Sequence, residues 1–495
     1  MSALSSPPSG RLLALVLACG PLLGSLVGCP DPTTGGTVKA GPRNELANKW
    51  LKRAGEEYAA LDLTEAKDSI EKASKNAPGD KDIGILGAKI HLARLDFKTA
   101  VKALEGIEGS EAAGLRARAY WYDDDLAHAS EELTRALEDP DFKDPWAKPV
   151  RELAGTQGAG RKPFQLKDTS ARLVELRMPR DLFPAMMVPI EVDGQTTVAL
   201  VVTGVPEVVL DQKTRSKPSW VSIRIANDKN TASMEFRDVP ALVEDLSGYS
   251  QQQVPIGALI GANFLRRLHA TFDRGADQLV LRRDDPPNPP TLTRLPVAWV
   301  RGGGMVVRAT IKKEFELSGG LWIDSGSPWG LAFPEPTWKT VGVDVSKMQT
   351  YNDTKYERLT NIKLGALDLG PAVGVSGATA IEDKLKQLDV TTIGALGMTF
   401  LGAMRVSLVE NGRTMWIETD QDTSGILAPN LNVKPPPKPA GSAKPAGSGS
   451  AKPPAPPASA SAKPPAPPTS AKPAAPPASA KPAPTPAPSA KASAK

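Results

Sequence analysis

The fold of this chain is decided by a short stretch in its second half, Leu321-Trp322-Ile323-Asp324-Ser325-Gly326-Ser327. A similar stretch lies nearer the middle and reads Ala199-Leu200-Val201-Val202-Thr203-Gly204. In each, an apolar run that predicts a buried strand enters a turn made of a hydroxyl residue and a glycine. Asp324 supplies an acid, whereas Val202 stands at the matching position of the first copy. The sequence therefore predicts two similar lobes, of which only the second carries a carboxylate in its turn.

The two predicted lobes also end alike. Leu259-Ile260-Gly261 and Ala395-Leu396-Gly397 each predict an apolar strand that closes on a glycine and enters a short helix. A two-stranded pattern follows each triplet, and an Asp193-Gly194 pair between apolar runs predicts a hairpin ahead of the first turn. Further short strands are predicted at 208–210, 221–225 and 233–236. Repetition of the same units in the same order predicts a duplicated β architecture.

These ordered motifs resemble the pepsin- or retropepsin-type aspartic proteases over roughly residues 165–420. The resemblance implies two β lobes, at 164–285 and 291–420, divided by the proline-rich stretch 286–290. It also implies a seam between the lobes, where each turn braces the other through its hydroxyl and its glycine allows close approach. The residues implied for bracing are Thr203, Gly204, Ser325, Gly326 and Ser327, with Asp324 as a catalytic acid. An unrelated β-sandwich or barrel is the alternative.

Val202 is the departure from that family pattern. Two close carboxylates share one proton, so that one acts as base and the other as acid. A valine can do neither, and general acid–base help is worth about 10²–10⁴-fold in rate. Asp211 is a candidate substitute, but its place on a returning strand predicts that it lies away from the seam. Asp324 itself could alternatively be a structural acid held by turn amides.

A helical region is predicted at 44–150. Alanines and large apolar residues recur there at intervals of 34 and 29 residues, in the sets Ala66, Ile70, Ala73; Ala100, Leu104, Ile107; and Ala129, Leu133, Ala136. The 34-residue period resembles the tetratricopeptide repeat, and the shorter interval predicts a clipped turn near 106–110. A plain bundle of helical hairpins is the alternative. Glycines at 151–165 predict a linker to the β lobes.

The N-terminus resembles a bacterial lipoprotein signal. Arg11 precedes an apolar run at 12–27, which ends in Leu26-Val27-Gly28-Cys29. The resemblance implies a signal peptide at 1–28, a lipid on Cys29, a tether at 29–43 and a bacterial envelope location. Pro30 after the cysteine favours the outer membrane, facing the periplasm. An ordinary secreted protein with a chance cysteine is the alternative.

The C-terminal segment 433–495 consists mainly of Pro, Ala, Lys, Ser and Gly. Such a composition cannot bury enough apolar surface to fold, so a disordered, extended tail is predicted. Its nine lysines and absence of acids leave a formal charge of −4 for the rest of the chain, out of +5 overall. The tail is either a spacer or a basic arm that contacts cell wall or lipopolysaccharide. No nucleic-acid partner is expected, since basic and aromatic residues are not interleaved.

Metal and cofactor chemistry is not expected from this sequence. The two cysteines, Cys19 and Cys29, are both N-terminal, and the three histidines are far apart. No cofactor-binding motif is present, and no local pattern supports a Ser-His-Asp triad.

The predicted architecture is thus multidomain α plus all-β, with helical repeats, a two-lobed aspartic-protease-like domain and a disordered tail. The favoured function is a lipid-anchored envelope protein whose repeats or protease-like cleft bind a protein or peptide, with catalysis impaired at Val202. The alternative is an active aspartic endopeptidase that pairs Asp324 in trans in a homodimer. An assembly factor with a purely structural β domain is a third reading. Tyr249 and Trp220 are candidates for a flap residue.

Overall fold

The computed structural model describes residues 43–178, 186–249, 254–273, 275–289, 291–351 and 354–418. All of them belong to one of the two units into which the chain divides, Met1–Asn432. The predicted signal peptide, Cys29, the tether before residue 43 and the tail 433–495 lie outside the described residues.

The first part of the described chain is a series of helices, which we call the helical array (residues 45–154). They are α1 Glu45–Ala59, α2 Leu63–Asn76, α3 Lys81–Ala93, α4 Phe97–Ala103, α5 Ser110–Tyr122, α6 Leu126–Leu137 and α7 Ala147–Ala154. The periodic alanines are fully buried, which lets neighbouring helices approach closely. The first six helices form three consecutive pairs within this part of the chain, α1 with α2, α3 with α4 and α5 with α6.

Two features of the helical array differ from the sequence-based expectation. The second helices of the pairs begin at residues 63, 97 and 126, which reproduces the intervals of 34 and 29. The shorter interval does not come from a clipped turn near 106–110, because α4 itself has 7 residues where α2 has 14. The array also extends to Ala154, so helix α7 occupies the start of the segment predicted as a linker.

The first β lobe begins at residue 165. Its elements are β1 Gln165–Leu166, β2 Leu173–Arg177, β3 Met187–Val192, β4 Gln195–Val202, β5 Val208–Asp211, β6 Ser219–Ala226, β7 Ser233–Glu244, β8 Ala258–Gly261, α8 Ala262–Leu265, β9 Thr271–Asp273 and β10 Gln278–Arg282. Strands β3 and β4 pair antiparallel around Asp193-Gly194, as the sequence predicts.

The second β lobe repeats these elements. They are β11 Thr293–Pro296, β12 Ala298–Val300, β13 Gly304–Lys312, β14 Glu316–Asp324, β15 Leu331–Ala332, α9 Glu335–Thr340, β16 Gln349–Tyr351, β17 Thr354–Leu364, β18 Leu367–Ser376, α10 Thr379–Leu385, β19 Thr392–Gly397, α11 Met398–Leu401, β20 Arg405–Val409 and β21 Thr414–Glu418.

The main sheets of the two lobes share one strand order. In the first it runs β7-β5-β8-β4-β3-β6, and in the second β18-β15-β19-β14-β13, with β17 pairing both β18 and β13. The strand that ends in each turn runs parallel to the apolar-glycine strand, β4 beside β8 and β14 beside β19. The two lobes are therefore duplicated in topology as well as in sequence motif.

The lobes are joined by a further sheet. Among the described strands its order is β11-β21-β20-β9-β10-β2, so each lobe contributes three strands that meet where β20 pairs with β9. The proline-rich stretch 286–290 divides the lobes along the chain, but this shared sheet makes them one structural body.

The helical array packs against both lobes. The Trp220 indole of the first lobe donates to the Leu153 carbonyl at 3.0 Å, and the Tyr58 hydroxyl donates to Asp389 of the second lobe at 3.0 Å. Within the array, helices α3 and α5 are buried on most of their faces. No helix within the described ranges has the length and apolar character needed to cross a bilayer.

Candidate functional site

The two turns meet at the seam and brace each other. The Thr203 N–H donates to Ser325 Oγ at 2.9 Å, and the Ser325 N–H donates to Thr203 Oγ1 at 2.9 Å. Each hydroxyl also donates to a carbonyl of the opposite lobe, Thr203 Oγ1 to Ile323 at 3.0 Å and Ser325 Oγ to Val201 at 2.8 Å. Both hydroxyl residues are buried, so this reciprocal set is shielded from water. The structure thus brings together residues 122 positions apart.

Val202 and Asp324 occupy corresponding places. Val202 is the last residue of β4 and pairs with Gly261 on the parallel strand β8. Asp324 is the last residue of β14 and pairs with Gly397 on the parallel strand β19. This register shows that Val202 takes the position in the first lobe that an acid takes in the second. Val202 is 2 % exposed, so its side chain fills the first-lobe side of the seam.

Asp324 is held by turn amides from both lobes. Its Oδ1 accepts the Gly326 N–H at 2.9 Å, and the carboxyl also accepts the Gly204 N–H of the first lobe. Burial raises the pKa of the Asp324 carboxyl to about 6, against the opposing effect of these two N–H groups and of the Lys384 ammonium. The side chain stays partly exposed, so it can still contact water or a ligand.

The turn glycines allow this close approach. A Cβ on Gly204 would lie 2.4 Å from Asp324 Oδ1 and 2.8 Å from the Trp322 indole. A Cβ on Gly326 would lie 2.8 Å from Val202 Cγ1 and 3.1 Å from Asp324 Oδ1. Any side chain at either position would therefore push the two turns apart.

Ser327 and Asp211 do not contribute a second acid or proton donor to Asp324 in the described contacts. The Ser327 N–H donates to the Asp324 carbonyl at 3.0 Å, and its Oγ accepts the Trp329 N–H at 3.3 Å, which holds the second turn internally. The Asp211 N–H donates to the Gly257 carbonyl, at the end of β8 opposite the first turn. Asp211 therefore lies away from the seam, as its position on the returning strand predicts.

The two flap candidates have different surroundings. Trp220 is held by its bond to the Leu153 carbonyl and packs 6.4 Å from the Trp121 ring, so it belongs to the contact between the helical array and the first lobe. Tyr249 lies near the site. Its burial, followed by the negative charges of Asp324 and Glu244, raises the pKa of the phenol.

A cavity of about 340 Å³ lies beside the second turn. Trp329, which follows that turn, forms one wall, and Ser376 and Glu382 lie on the segment that leads into and along α10. Lys384 of the same helix is close enough to Asp324 to affect its pKa. The lining combines the Trp329 indole with two carboxylates, an ammonium group and several hydroxyl groups; the polar residues are Glu335, Thr354, Lys355, Ser376, Thr379 and Glu382.

The sequence reading missed Glu207, a buried acid five positions after Val202. Its carboxylate accepts the indole N–H groups of Trp121 and Trp146, at 3.1 and 3.2 Å. A charged residue between Pro206 and an apolar strand was the available signal, because an acid in such a run needs buried donors. Within the described residues, no cluster of His, Cys, Asp and Glu could hold a metal ion.

Comparison with known proteins gives similarity to aspartic proteases. A retropepsin-like aspartic protease from Rickettsia conorii matches over 26% of this chain and 89% of its own, with 15% identity and a TM-score of 0.20. An aspartic proteinase from Irpex lacteus matches over 52% of this chain and 99% of its own, with 13% identity and a TM-score of 0.30. No protein-family model and no curated protein matches the chain. The chain's own structure shows two lobes of one strand order that meet at a pair of mutually braced turns.

Proposed function

We propose that this chain is a peptide-binding pseudoprotease, an aspartic-protease-like shell that holds an extended segment without cleaving it. The observation that carries the proposal is the pair of corresponding positions at the seam, Val202 and Asp324, within fully formed bracing. The scaffold is intact, while the two carboxylates that would share a proton are reduced to one.

The remaining acid suits binding better than hydrolysis. With its pKa near 6, Asp324 is largely ionised at neutral pH and accepts hydrogen bonds at the base of the seam. Peptide N–H groups are donors that such a carboxylate can bind. Hydrolysis would also require a neutral acid at the Val202 position, where only methyl groups are present.

The cavity beside the second turn offers a place for one side chain of the bound segment. Its walls include Trp329, Val375 and Glu382. Lys355 and Glu335 also line it, so the cavity offers charged partners to a polar side chain beside the Trp329 indole.

The alternative of trans pairing requires the seam to open. Thr203 and Ser325 already partner each other within one chain, and β9 and β20 join the lobes through the shared sheet. A homodimer that paired two copies of Asp324 would have to replace those contacts. We therefore favour binding within a single chain.

Peptide binding is tested by fluorescence anisotropy with labelled peptides of about ten residues that tile an unfolded protein. The parent is expected to bind a subset and to leave them intact by mass spectrometry. Thr379→Trp, which fills the cavity, should weaken binding by about tenfold or more. Thr340→Trp, an exposed site at the end of α9 outside the cavity, is the matched control. Absence of binding across the set, or cleavage that Asp324→Asn abolishes, would overturn the proposal.

We also propose that the protein is lipid-anchored in a bacterial envelope through Cys29, on the outer membrane facing the periplasm. The support is the Leu26-Val27-Gly28-Cys29 motif after an apolar run, followed by Pro30. Two or more acyl chains would anchor the protein firmly. Cys29→Ser should move the protein from the membrane to the soluble fraction and abolish incorporation of labelled palmitate, whereas Cys19→Ser should change neither.

A further inference from the structure

A buried acid ties the first turn to the helical array. Glu207 is 2 % exposed, and its Oε1 accepts indole N–H groups from Trp121 on α5 and Trp146 just before α7. A buried carboxyl group needs hydrogen-bond donors from the protein, because burial removes the water molecules that would otherwise supply them. The helical array supplies them, although these tryptophans are 86 and 61 positions away in sequence.

The loop between Val202 and Glu207 is held from the lobe side as well. The Ala262 N–H donates to the Val205 carbonyl and the Asn263 N–H to the Pro206 carbonyl, both at 2.8 Å. Gly261 packs so tightly beneath this loop that a Cβ there would lie 2.1 Å from the Glu207 carbonyl oxygen. The loop, which includes Gly204, is therefore held between α8 and the helical array.

A second set of contacts continues the connection. Arg266 Nε donates to Asn263 Oδ1 at 2.7 Å, and its Nη2 donates to the Tyr122 carbonyl at the end of α5, at 3.2 Å. Burial lowers the pKa of the Arg266 guanidinium to about 9, so it stays charged at neutral pH. Asn263 Nδ2 in turn approaches Glu207 Oε2 at 3.5 Å. A polar network thus runs from α5 through α8 to the loop of the first turn.

The helical array also makes polar contacts with the second lobe. Asp389, just ahead of β19, accepts the Tyr58 hydroxyl at 3.0 Å and lies 3.7 Å from Lys89 Nζ. The Thr391 N–H donates to the Ala59 carbonyl at the end of α1, at 3.2 Å. Strand β19 then runs parallel to β14 up to Asp324. The first turn is therefore connected to the helical array through Glu207, and the second turn through the far end of its neighbouring strand β19.

We infer that the helical array positions the protease-like site, with Glu207 as the positioning residue that sets how Gly204 presents its N–H to Asp324. This inference rests on the proposed function, because it concerns how that same site is held. Loosening the array at Glu207 lets the first turn move away and weakens the Gly204 contact with the carboxylate. By thermodynamic linkage, a ligand that stabilises one arrangement of the turns stabilises the matching arrangement of the array.

The test reads the titration of Asp324 by carboxyl ¹³C NMR in the ligand-free protein, so it does not depend on peptide binding. Trp146→Phe removes one donor to Glu207 and keeps an aromatic ring, and Trp121→Phe with Trp146→Phe removes both. Losing an N–H that favours the anion should raise the Asp324 pKa by at least about 0.5. The double variant should give the larger change.

Trp220→Phe is the matched control. It removes an indole N–H bond of similar length between the array and the same lobe, to the Leu153 carbonyl and not to Glu207, and it keeps an aromatic ring beside Trp121. The Asp324 pKa should stay at its parent value in this variant. An unchanged pKa in Trp146→Phe, or an equal change in Trp220→Phe, would overturn the inference. If the double variant does not fold, Trp146→Phe alone decides it. Failure of the proposed function would appear separately, as absent peptide binding with the Asp324 titration still responding.

Discussion

Thr203 and Ser325 exchange hydrogen bonds across the seam, each N–H reaching the other's hydroxyl oxygen at 2.9 Å. The relationship is symmetric, and it joins two lobes whose strands follow the same order. The hydrogen bonds of this pair use backbone N–H groups and hydroxyl groups, so they do not require a second acid. It explains how the shell stays intact while the seam carries Val202 in place of a carboxylate.

The first prediction concerns that pair. Thr203→Val keeps the shape of the side chain but leaves the Ser325 N–H and the Ile323 carbonyl without their partner, inside a buried site. The free energy of unfolding should fall by about 2–4 kcal/mol, measured by urea denaturation. Thr310→Val, which removes an exposed hydroxyl pair with Ser318, should cost less than about 1 kcal/mol. Equal losses in the two variants would contradict the role given to the bracing.

The second prediction concerns the close approach of the turns. Gly204→Ala places a methyl group 2.4 Å from Asp324 Oδ1, so one turn must shift. We expect a loss of about 2–4 kcal/mol in the free energy of unfolding. Gly248→Ala meets open space and should be neutral within about 0.5 kcal/mol.

A double-mutant cycle gives the control for Gly204. Adding Asp324→Ala removes the two nearest atoms that the new methyl group meets and leaves the Trp322 indole at 2.8 Å, so the combined loss should be smaller than the sum of the single losses. Strict additivity would show that the carboxylate is not what crowds Gly204.

The third prediction is a pH dependence of stability. The Asp324 pKa is about 6 in the folded protein, above the ordinary value of 3.8, so the folded state binds more protons between those two values. The parent should therefore lose stability relative to Asp324→Asn as the pH rises from about 4 to about 6, by up to about 2–3 kcal/mol. The difference should be constant below and above that window.

Calorimetry of both proteins across this range checks the pH prediction. Other titrating groups are common to both proteins, so their contributions cancel in the difference. A difference that changed in the opposite sense, with the parent gaining stability as pH rises, would mean that the turn amides outweigh burial at Asp324.

Much of the site was accessible from sequence because each half is encoded locally. An apolar strand, a hydroxyl residue and a glycine follow one another in each turn, and the glycine-ending triplets repeat the same register against them. Because the same motifs occur twice in the same order, the two halves of the site can be matched from the sequence alone. The pairing of Thr203 with Ser325 follows from the family resemblance and is seen directly in the structure.

The features that the sequence did not predict depend on contacts between residues that are distant along the chain. Strand β7 was expected to end at Phe236, yet it continues to Glu244 because its second half runs parallel to β5. The connection from Trp121 and Trp146 to Glu207 joins segments 86 and 61 positions apart, so the local sequence can indicate a buried acid but not the residues that donate to it. Helix periodicity likewise indicates one buried face, whereas α5 is buried on most of its faces, because it packs against α3, α4 and α6 and also contacts Glu207 of the first lobe.

The most direct test of the account is cleavage of an unfolded protein by three forms of the chain, from about pH 3 to about pH 7. The forms are the parent, Val202→Asp, and Val202→Asp combined with Asp324→Asn. We expect that the parent does not cleave and that Val202→Asp does, with its cleavage blocked by a pepstatin-type inhibitor. The combined variant should not cleave. Inhibitor-sensitive cleavage by the parent would contradict the account, because the seam would then work with the single acid that it has.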